Sequence, residues 1–262
     1  MLNRWKRMAG VVLAGAMVAG PVWGDEPKTL PAPVKPADPA KIAPKPPAVK
    51  ESATEPKPRD AKWMVRHENY LKEVKEKAGA VDLLLVGDSI TDGWHGQKKI
   101  YEEAWGKFKP FNIGIGGDRT QHVIWRLQNG EVASIKPKLA MLMIGTNNLG
   151  GNKDEEIVAG ITGCVTEIQK QMPGIKVLLL AVFPRSPKPT DAARGRIKAI
   201  NAEIAKLDDG GKTVKYLDIG EKFLDAEGNL TKEIMPDALH PNAKGYQIWV
   251  DATKSTVEDM LK

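Results

Sequence analysis

Residues 83–94 read LLLVGDSITDGW, and this stretch decides how the rest of the chain is interpreted. The four aliphatic residues 83–86 form a run that predicts a short buried strand. Gly87, Asp88 and Ser89 follow at once, so the strand is predicted to end in a tight turn that carries a serine. A turn needs only residues such as glycine and aspartate. The serine at the carboxyl end of a buried strand therefore needs a chemical explanation.

Outward from this run, short apolar segments alternate with stretches of helical spacing. The apolar segments predict five strands: 81–86, 111–115, 139–144, 177–182 and 214–217. The helical stretches are 61–78, 97–107, 119–128, 154–171, 191–207 and 241–261. Short, continuous apolar strands between helices are typical of a parallel sheet that is covered on both faces. We therefore predict an α/β fold, in which ligand sites lie beyond the carboxyl ends of the strands.

Three of these strands are followed by segments that could form a site. Ser89 follows the first strand, Gly116 and Gly117 follow the second, and Asn147 follows the third. Each segment also has a structural explanation, because glycine and asparagine tolerate the left-handed backbone of sharp turns. Together they place a hydroxyl, a backbone open to close approach and a side-chain amide on one edge of the sheet.

A serine hydroxyl needs a base before it can act as a nucleophile, and the chain has four histidines. His67 falls on the apolar face of the first helix and is predicted to be a packed core residue. His95 and His122 have no acidic residue placed to orient them. His240 has Asp237 three residues earlier, in a segment flanked by prolines. An aspartate that orients a histidine, which in turn activates a serine, is the arrangement of a catalytic triad.

Several other chemistries lack the residues that they need. The glycines at 114, 116 and 117 resemble a dinucleotide-binding fingerprint, but Arg119 occupies the position of its last glycine. A P-loop lysine motif is absent, and the histidines and Cys164 lack metal-ligand spacing, so we predict neither a metal nor another cofactor. Cys164 is the single cysteine, and it is predicted to be a buried helix residue and not a nucleophile.

The first 60 residues differ in composition from the rest. Residues 1–24 combine a basic start with an apolar run too short to span a bilayer comfortably, which predicts a secretory signal peptide in preference to an uncleaved anchor. Residues 25–60 contain ten prolines and few large apolar side chains, so they are predicted to form a disordered tether. This tether is either a spacer that holds the domain near a membrane or cell wall, or an unselective leader. The folded domain is then 61–262, and the protein is expected to be exported, periplasmic or extracellular.

The net charge of +6 could suggest a nucleic-acid partner. Arg4, Lys6 and Arg7 belong to the predicted signal peptide, so removing these three charges leaves +3 on the mature chain. No basic cluster with interleaved aromatic residues remains in the mature sequence. A nucleic-acid partner is therefore excluded.

The segments around the predicted site resemble the four signature blocks of the SGNH (GDSL-like) hydrolases. The blocks are GDS with Ser89, GIGGD with Gly117, GTNN with Asn147, and DALH with Asp237 and His240. Four longer segments are most similar to the catalytic subunits of intracellular type Ib platelet-activating factor acetylhydrolase: NIGIGGDRTQHVIWRLQNGE, PKLAMLMIGTNN, KVLLLAVFPR and MPDALHPNAKGY. The resemblance covers residues 60–260 in the expected order.

This resemblance implies serine ester hydrolysis on a flavodoxin-like, three-layer α/β/α fold with a five-stranded parallel sheet. It implies Ser89, His240 and Asp237 as the catalytic triad. The oxyanion hole would consist of the backbone N–H groups of Ser89 and Gly117 and the side-chain amide of Asn147. Glycine would be needed at position 117 because a side chain would obstruct the approach of the backbone to the substrate oxygen.

The substrate stays open at this stage. The signal peptide and tether are foreign to the intracellular enzyme, which favours acetylated sugars or other short acetyl esters over a phospholipid. The alternatives are a phospholipid acetylhydrolase, a broader esterase or lipase, an acyltransferase on the same site, and a non-catalytic binding module. Ile90 (which replaces the leucine of the GDSL name), Thr146 and Leu239 adjoin site residues and are predicted to line the acyl pocket, although Ile90 and Leu239 could instead face the core. The oligomeric state is also open, with a homodimer among the alternatives.

Overall fold

The computed structural model describes residues 51–262, so the predicted signal peptide and most of the predicted tether lie outside the described residues. The helices are Ala61–Glu76 (α1), Ser89–Asp92 (α2), Lys98–Trp105 (α3), Thr120–Gln128 (α4), Asp154–Gln171 (α5), Ala192–Ile204 (α6) and Ala243–Met260 (α7). The strands are Leu83–Gly87 (β1), Pro110–Asn112 (β2), Leu139–Met143 (β3), Lys176–Leu180 (β4) and Val214–Leu217 (β5). Among the described helices, none has the length and apolar character needed to cross a membrane.

The five strands form one parallel sheet in the order β2-β1-β3-β4-β5. In the middle of this sheet, Leu84 of β1 pairs with Phe111 of β2 and with Ala140 of β3. The order is flavodoxin-like, and the direction of strand addition reverses between β1 and β3. Ligands bind outside the carboxyl ends of the strands at such a reversal. Ser89 and Asn147 follow the two strands that form it.

Helices cover both faces of the sheet. The β1 side chains Leu84 and Val86 pack in one apolar layer with α1, α4, α5 and α6, whereas Leu83 and Leu85 pack in a second layer with α3 and α7. Successive side chains of a strand point to opposite faces, so burial on both faces explains why β1 is an unbroken apolar run. The predicted three-layer α/β/α fold is confirmed.

The predicted strands and helices all occur, with differences at their ends. The largest difference among the strands is β2, which ends at Asn112, three residues earlier than predicted. The chain beyond it still bonds to β1, because the N–H groups of Ile113 and Ile115 donate to the carbonyls of Leu85 and Gly87. It nevertheless lies outside the regular strand. It leads directly into the glycine-rich loop of the site, residues 114–118.

Helix α1 begins at a capped end and packs by one face. The Asp60 carboxylate accepts a hydrogen bond from the Trp63 N–H at 3.0 Å, which satisfies one of the free donors of the first turn. Trp63, His67, Tyr70 and Val74 are buried at helical spacing on the side that faces the sheet. His67 is therefore a packed residue, as predicted.

The last part of the predicted tether packs against the domain. Ala53 is 1% exposed, and its carbonyl accepts a hydrogen bond from the Thr120 hydroxyl at 2.6 Å. The Glu51 carbonyl accepts a hydrogen bond from the Asn152 amide at 2.8 Å. The predicted boundary at residue 61 is thus corrected: residues 51–60 belong to the packed domain, because groups near the amino ends of α4 and α5 satisfy their backbone. We call residues 51–59 the N-terminal strap.

Candidate active site

Ser89 lies where the chain turns from β1 into α2. The Asp88 carboxyl accepts a hydrogen bond from the Ile90 N–H at 2.9 Å and caps this short helix, whose first residue is Ser89. Glycine is required at position 87, because a Cβ there would lie 2.4 Å from the backbone oxygen of Met143 on β3. This close packing of the two strands holds the serine at the carboxyl edge of the sheet, where the sequence predicts it.

His240 and Asp237 reach Ser89 from the loop before α7. Ser89 Oγ lies 2.9 Å from His240 Nε2, and Asp237 Oδ2 accepts a hydrogen bond from His240 Nδ1 at 2.6 Å. Asp237 Oδ1 also accepts hydrogen bonds from the backbone N–H groups of Leu239 and His240, at 3.1 and 2.8 Å. Ala238 has a φ of 56°, so the loop folds the carboxylate back over the residues that follow it. The structure therefore joins the three predicted triad residues in one continuous chain of contacts.

The Asp237–His240 pair lies at the surface. The side chains of Asp237 and His240 are 55% and 41% exposed. Partial burial acts to raise the pKa of the Asp237 carboxyl, but hydrogen bonds from His240 outweigh it and hold that pKa below its ordinary value. Asp237 is therefore ionised at neutral pH and keeps the proton on His240 Nδ1. This leaves Nε2 free to accept the proton of Ser89.

The glycine-rich loop after β2 lies beside the serine. A Cβ on Gly116 would be 3.8 Å from the Cβ of Ser89. The Asn147 amide, on the loop after β3, donates a hydrogen bond to the Asp118 carbonyl at 2.9 Å. The structure thus brings together the three segments that carry the predicted oxyanion donors Ser89, Gly117 and Asn147.

The structure gives two further reasons for glycine at position 117, and the predicted one, access for the substrate oxygen, stays a prediction. Its φ is +80°, in the left-handed region that favours glycine. A Cβ there would lie 3.1 Å from the guanidinium of Arg59, which belongs to the N-terminal strap. The absent side chain of Gly117 therefore makes room for a residue of this protein, in addition to any role in admitting substrate.

A buried ionic network lies directly behind this loop. Asp118 accepts hydrogen bonds from Trp63 Nε1 at 2.6 Å and from Arg126 Nε at 2.9 Å. Arg126 also pairs with Glu131, whose other oxygen is 2.7 Å from His67 Nδ1. Burial raises the pKa of the Asp118 carboxyl to about 6, although the charge of Arg126 and the hydrogen bond from Trp63 oppose the shift. Charges this deep are tolerated because they are paired and hydrogen-bonded.

The three predicted acyl-pocket residues are buried to different degrees. Ile90 and Thr146 are each 1% exposed, and Leu239 is partly buried. Ile90 and Leu239 both pack with the apolar layer of α3 and α7. The carbonyl and hydroxyl of Thr146 accept hydrogen bonds from Arg185 at 3.1 and 3.3 Å. Contact of these residues with an acyl group stays a prediction.

Two of the other histidines lie near a carboxylate but make no hydrogen bond to it. His95 Nε2 lies 3.9 Å from Asp92, and His122 Nδ1 lies 3.8 Å from Asp118, so each has a carboxylate nearby. The pairs are three and four residues apart in sequence, so each proximity arises within one short stretch of backbone, at the end of α2 for His95 and at the start of α4 for His122. Burial lowers the pKa of His122 to about 3, so this ring is neutral. The histidine in contact with the serine is nevertheless His240.

Other reactive groups lie outside the site. Within residues 51–262, no group of three or more His, Cys, Asp or Glu side chains is arranged to hold a metal ion. Cys164 is fully buried on α5, as predicted, and burial raises the pKa of its thiol. A cleft of about 680 Å³ lies at the amino ends of β3 and β4, where Lys138 and Lys176 line it, and so at the opposite edge of the sheet from Ser89.

Comparison with known proteins agrees with this geometry. The model of the GDSL-like Lipase/Acylhydrolase family matches residues 85–248, a span that covers more than half of the chain and every predicted triad and oxyanion residue. The chain belongs to this family. It is accordingly a hydrolase of the acylhydrolase class, and its five-stranded parallel sheet is that of the SGNH hydrolase fold.

Individual relatives extend the comparison. The chain is 36% identical over 190 residues to "Platelet-activating factor acetylhydrolase IB subunit alpha2" of Gallus gallus, covering 71% of this chain and 80% of that protein. A GDSL-like lipase from Bacteroides thetaiotaomicron has a TM-score of 0.62 at 20% identity, over 74% of this chain and 97% of that one. An acetylxylan esterase from Geobacillus stearothermophilus has a TM-score of 0.55 at 17% identity, over 70% and 95%. At these identities the two solved structures show the shared fold alone.

Two arginines that lie at this site, Arg59 and Arg126, are not among the predicted site residues. Arg59 falls in a stretch whose composition predicts a tether, and nothing in the local pattern marks it. Arg126 is fully buried on α4, next to the buried residues Val123 and Leu127. A charge on an apolar helix face is costly unless it is paired. The position of Arg126 on an apolar helix face could therefore have indicated a buried, paired charge. No local pattern indicates a role for Arg59.

Proposed function

We propose that this acylhydrolase is a serine carboxylic ester hydrolase that acts through Ser89, His240 and Asp237. His240 Nε2 takes the Ser89 proton as Oγ bonds to the ester carbonyl carbon. The tetrahedral intermediate collapses, His240 gives the proton to the departing alcohol, and an acyl-serine remains. Water, deprotonated by His240, then attacks the acyl carbon, releases the acid and leaves Ser89 protonated. The observation that supports this role is the pair of contacts at 2.9 Å and 2.6 Å.

Each step places negative charge on the former carbonyl oxygen, which needs hydrogen-bond donors fixed in advance. The N–H groups of Ser89 and Gly117 and the Asn147 amide are the proposed donors. Asn147 carries two amide protons, and one of them is used on the Asp118 carbonyl. The second proton is available for the oxyanion.

The proposed substrates are O-acetylated sugars or other short-chain acetyl esters. Supporting this choice, the exposed Asp237 and His240 side chains leave the site open to a bulky alcohol such as a polysaccharide, and an acetylxylan esterase shares the fold. The relatives named platelet-activating factor acetylhydrolases support an acetyl group equally, but with a phospholipid as the alcohol. Release of acetate from acetylated xylan, acetylated sugars and an acetyl phospholipid, compared at equal ester concentration, separates the two.

We also propose export, with the domain periplasmic or extracellular and near a membrane or cell wall. The support is the composition of residues 1–24 and of the proline-rich stretch after them. Fractionation of producing cells, with determination of the mature amino terminus, tests this proposal. A chain recovered from the cytoplasm with Met1 in place would contradict it.

Acyl length tests the acetylesterase proposal. We expect kcat/KM to fall about tenfold or more from p-nitrophenyl acetate to the butyrate, because Ile90, Thr146 and Leu239 would leave no room beyond the methyl group. An open site would show the reverse, since each buried methylene contributes about 0.8 kcal/mol of favourable burial. Leu239→Ala should partly restore activity on the butyrate.

Leu261→Ala is the matched control, because Leu261 packs against the same apolar layer just after the end of α7. It should leave the ratio of kcat/KM on the acetate ester to kcat/KM on the butyrate ester unchanged. A rate that rises from acetate to butyrate to octanoate, or no recovery in Leu239→Ala, would favour a broader esterase or lipase. An acyltransferase would instead form a new ester when an acceptor sugar is added.

A further inference from the structure

One peptide unit of the glycine-rich loop is held by charged side chains. The Gly116 carbonyl and the Gly117 N–H belong to the same peptide. Arg59 Nη1 donates a hydrogen bond to the Gly116 oxygen at 2.7 Å. The Gly116 N–H donates to Asp92 Oδ2 at 3.3 Å, and Arg66 donates to the other oxygen of Asp92 at 2.7 Å. Both polar groups of Gly116 are therefore fixed by ionic side chains.

The main acceptor of Arg59 is this carbonyl. Arg59 lies 3.4 Å from Asp118 and 3.6 Å from Asp60, both longer than the 2.7 Å to the Gly116 oxygen. In a simple ion pair, the shortest contact would be to a carboxylate oxygen. The Arg59 side chain is 26% exposed, so the hydrogen bond is largely shielded from water. Hydrogen bonds from a charged donor are about twice as strong as neutral ones.

The N-terminal strap holds Arg59 in place from both sides. Ahead of it, the Ala53 carbonyl lies so close to α5 that a Cβ on Gly160 would be 2.7 Å from the carbonyl oxygen. Directly after it, Asp60 caps α1 through the Trp63 N–H. Arg59 is thus presented to the loop by a fixed stretch of backbone and not by a free linker.

We propose that Arg59 is a positioning residue for ester hydrolysis, which orients and polarises the Gly116–Gly117 peptide. A positive charge at the carbonyl oxygen draws electron density from the amide, and so the N–H of the same amide becomes a stronger donor. The Gly117 N–H then binds the developing oxyanion more tightly. This inference rests on the proposed ester hydrolysis at Ser89, and it adds one residue of the N-terminal strap, Arg59, to the groups that position the oxyanion donors.

Arg59→Met in the full chain tests the role, with p-nitrophenyl acetate as a neutral substrate. We expect kcat to fall about tenfold and KM to change less than twofold, because the charge that Gly117 binds develops only in the transition state. The expected loss is smaller than the 10²–10³-fold loss typical of a direct oxyanion donor, since Arg59 acts through the peptide. Arg59→Lys keeps the charge and should recover part of kcat.

Added guanidinium separates positioning from packing. In Arg59→Ala, millimolar guanidinium chloride should restore part of kcat, because the free cation can occupy the vacated space and donate to the Gly116 oxygen. Lys57→Met is the matched control, since it removes another strap cation, whose ion pair with Glu51 is at 2.8 Å on the surface. This control should keep the kcat and KM of the parent chain. Thermal unfolding of each variant measures packing separately.

Three results would overturn the inference. The first is an unchanged kcat in Arg59→Met. The second is a loss confined to KM, which would make Arg59 a substrate-binding residue. The third is a loss of kcat that Lys57→Met shares or that guanidinium does not reverse, which would mark a general packing effect. Ser89→Ala distinguishes these failures from failure of the proposed function: if Ser89→Ala stays active, ester hydrolysis at Ser89 is itself wrong.

Discussion

The two sides of the active site are built in opposite ways. On one side, Asp237 and His240 are three residues apart, and their side chains are 55% and 41% exposed. On the other side, the network behind the glycine-rich loop joins Asp118, Arg126 and Glu131, whose side chains are at most 1% exposed. The proposed acid–base side is a local loop at the surface, whereas the proposed oxyanion side is anchored in the core.

This difference follows from what each side is proposed to do. His240 has to change its protonation state and admit water during deacylation, so it needs access to solvent. Oxyanion donors are effective only if they are in place before the charge appears. Buried paired charges make displacement of the loop expensive, because an unpaired buried charge costs several kcal/mol. In the proposed mechanism, the exposed side therefore supplies proton transfer, and the buried side supplies fixed geometry.

Removal of the reacting groups should have the largest effect on turnover. Ser89→Ala and His240→Ala are each expected to lower kcat by about 10³-fold or more, and the double variant hardly further, because members of a triad act as a unit. Steady-state kinetics on p-nitrophenyl acetate measures all three variants. Independent, additive losses would contradict the pairing of Ser89 with His240.

Removal of one donor from the oxyanion side should have a smaller effect. Asn147→Ala is expected to lower kcat by about 10²–10³-fold with little change in KM, because its amide acts on charge that develops in the transition state. The same assay measures the two constants separately. If the change lies mainly in KM, Asn147 binds the substrate instead.

The two sides should also differ in how much they stabilise the fold. The exposed triad residue Asp237 is expected to contribute less to the free energy of unfolding than the buried Arg126. Arg126→Met should lower the free energy of unfolding by about 3–5 kcal/mol, because it removes the buried cation that Asp118 and Glu131 share. Asp237→Asn should change it by at most about 1 kcal/mol, because the hydrogen bond between Asp237 and His240 is exposed to solvent. Urea unfolding measures both variants. Similar losses in the two would show that the sides do not differ in the way described.

Local sequence was enough to predict which residues of the candidate site come together. Ser89, Gly117 and Asn147 each follow a predicted strand directly, and the carboxyl ends of parallel strands meet at one edge of the sheet. Asp237 and His240 are close enough in sequence for one loop to join them. The resemblance to a hydrolase family then assigned roles to positions that the pattern had already grouped.

Local sequence was misleading where packing depends on distant partners. The composition of residues 51–60 shows that these residues have little apolar surface to bury. It does not report that Thr120 and Asn152 offer hydrogen bonds to their carbonyls. The carboxylates near His95 and His122 were missed for a related reason, since their spacing has meaning only once the local backbone is known.

The amino-acid sequence alone was sufficient for the α/β fold and for the order of the site segments, because apolar periodicity and strand-end residues are short-range properties. The contact of Arg59 with the Gly116 carbonyl joins residues 57 positions apart. It depends on how the N-terminal strap and α1 pack against the loop after β2. No periodicity encodes such a contact, so the role proposed for Arg59 depends on the packed chain, which places the guanidinium against the peptide that joins Gly116 and Gly117.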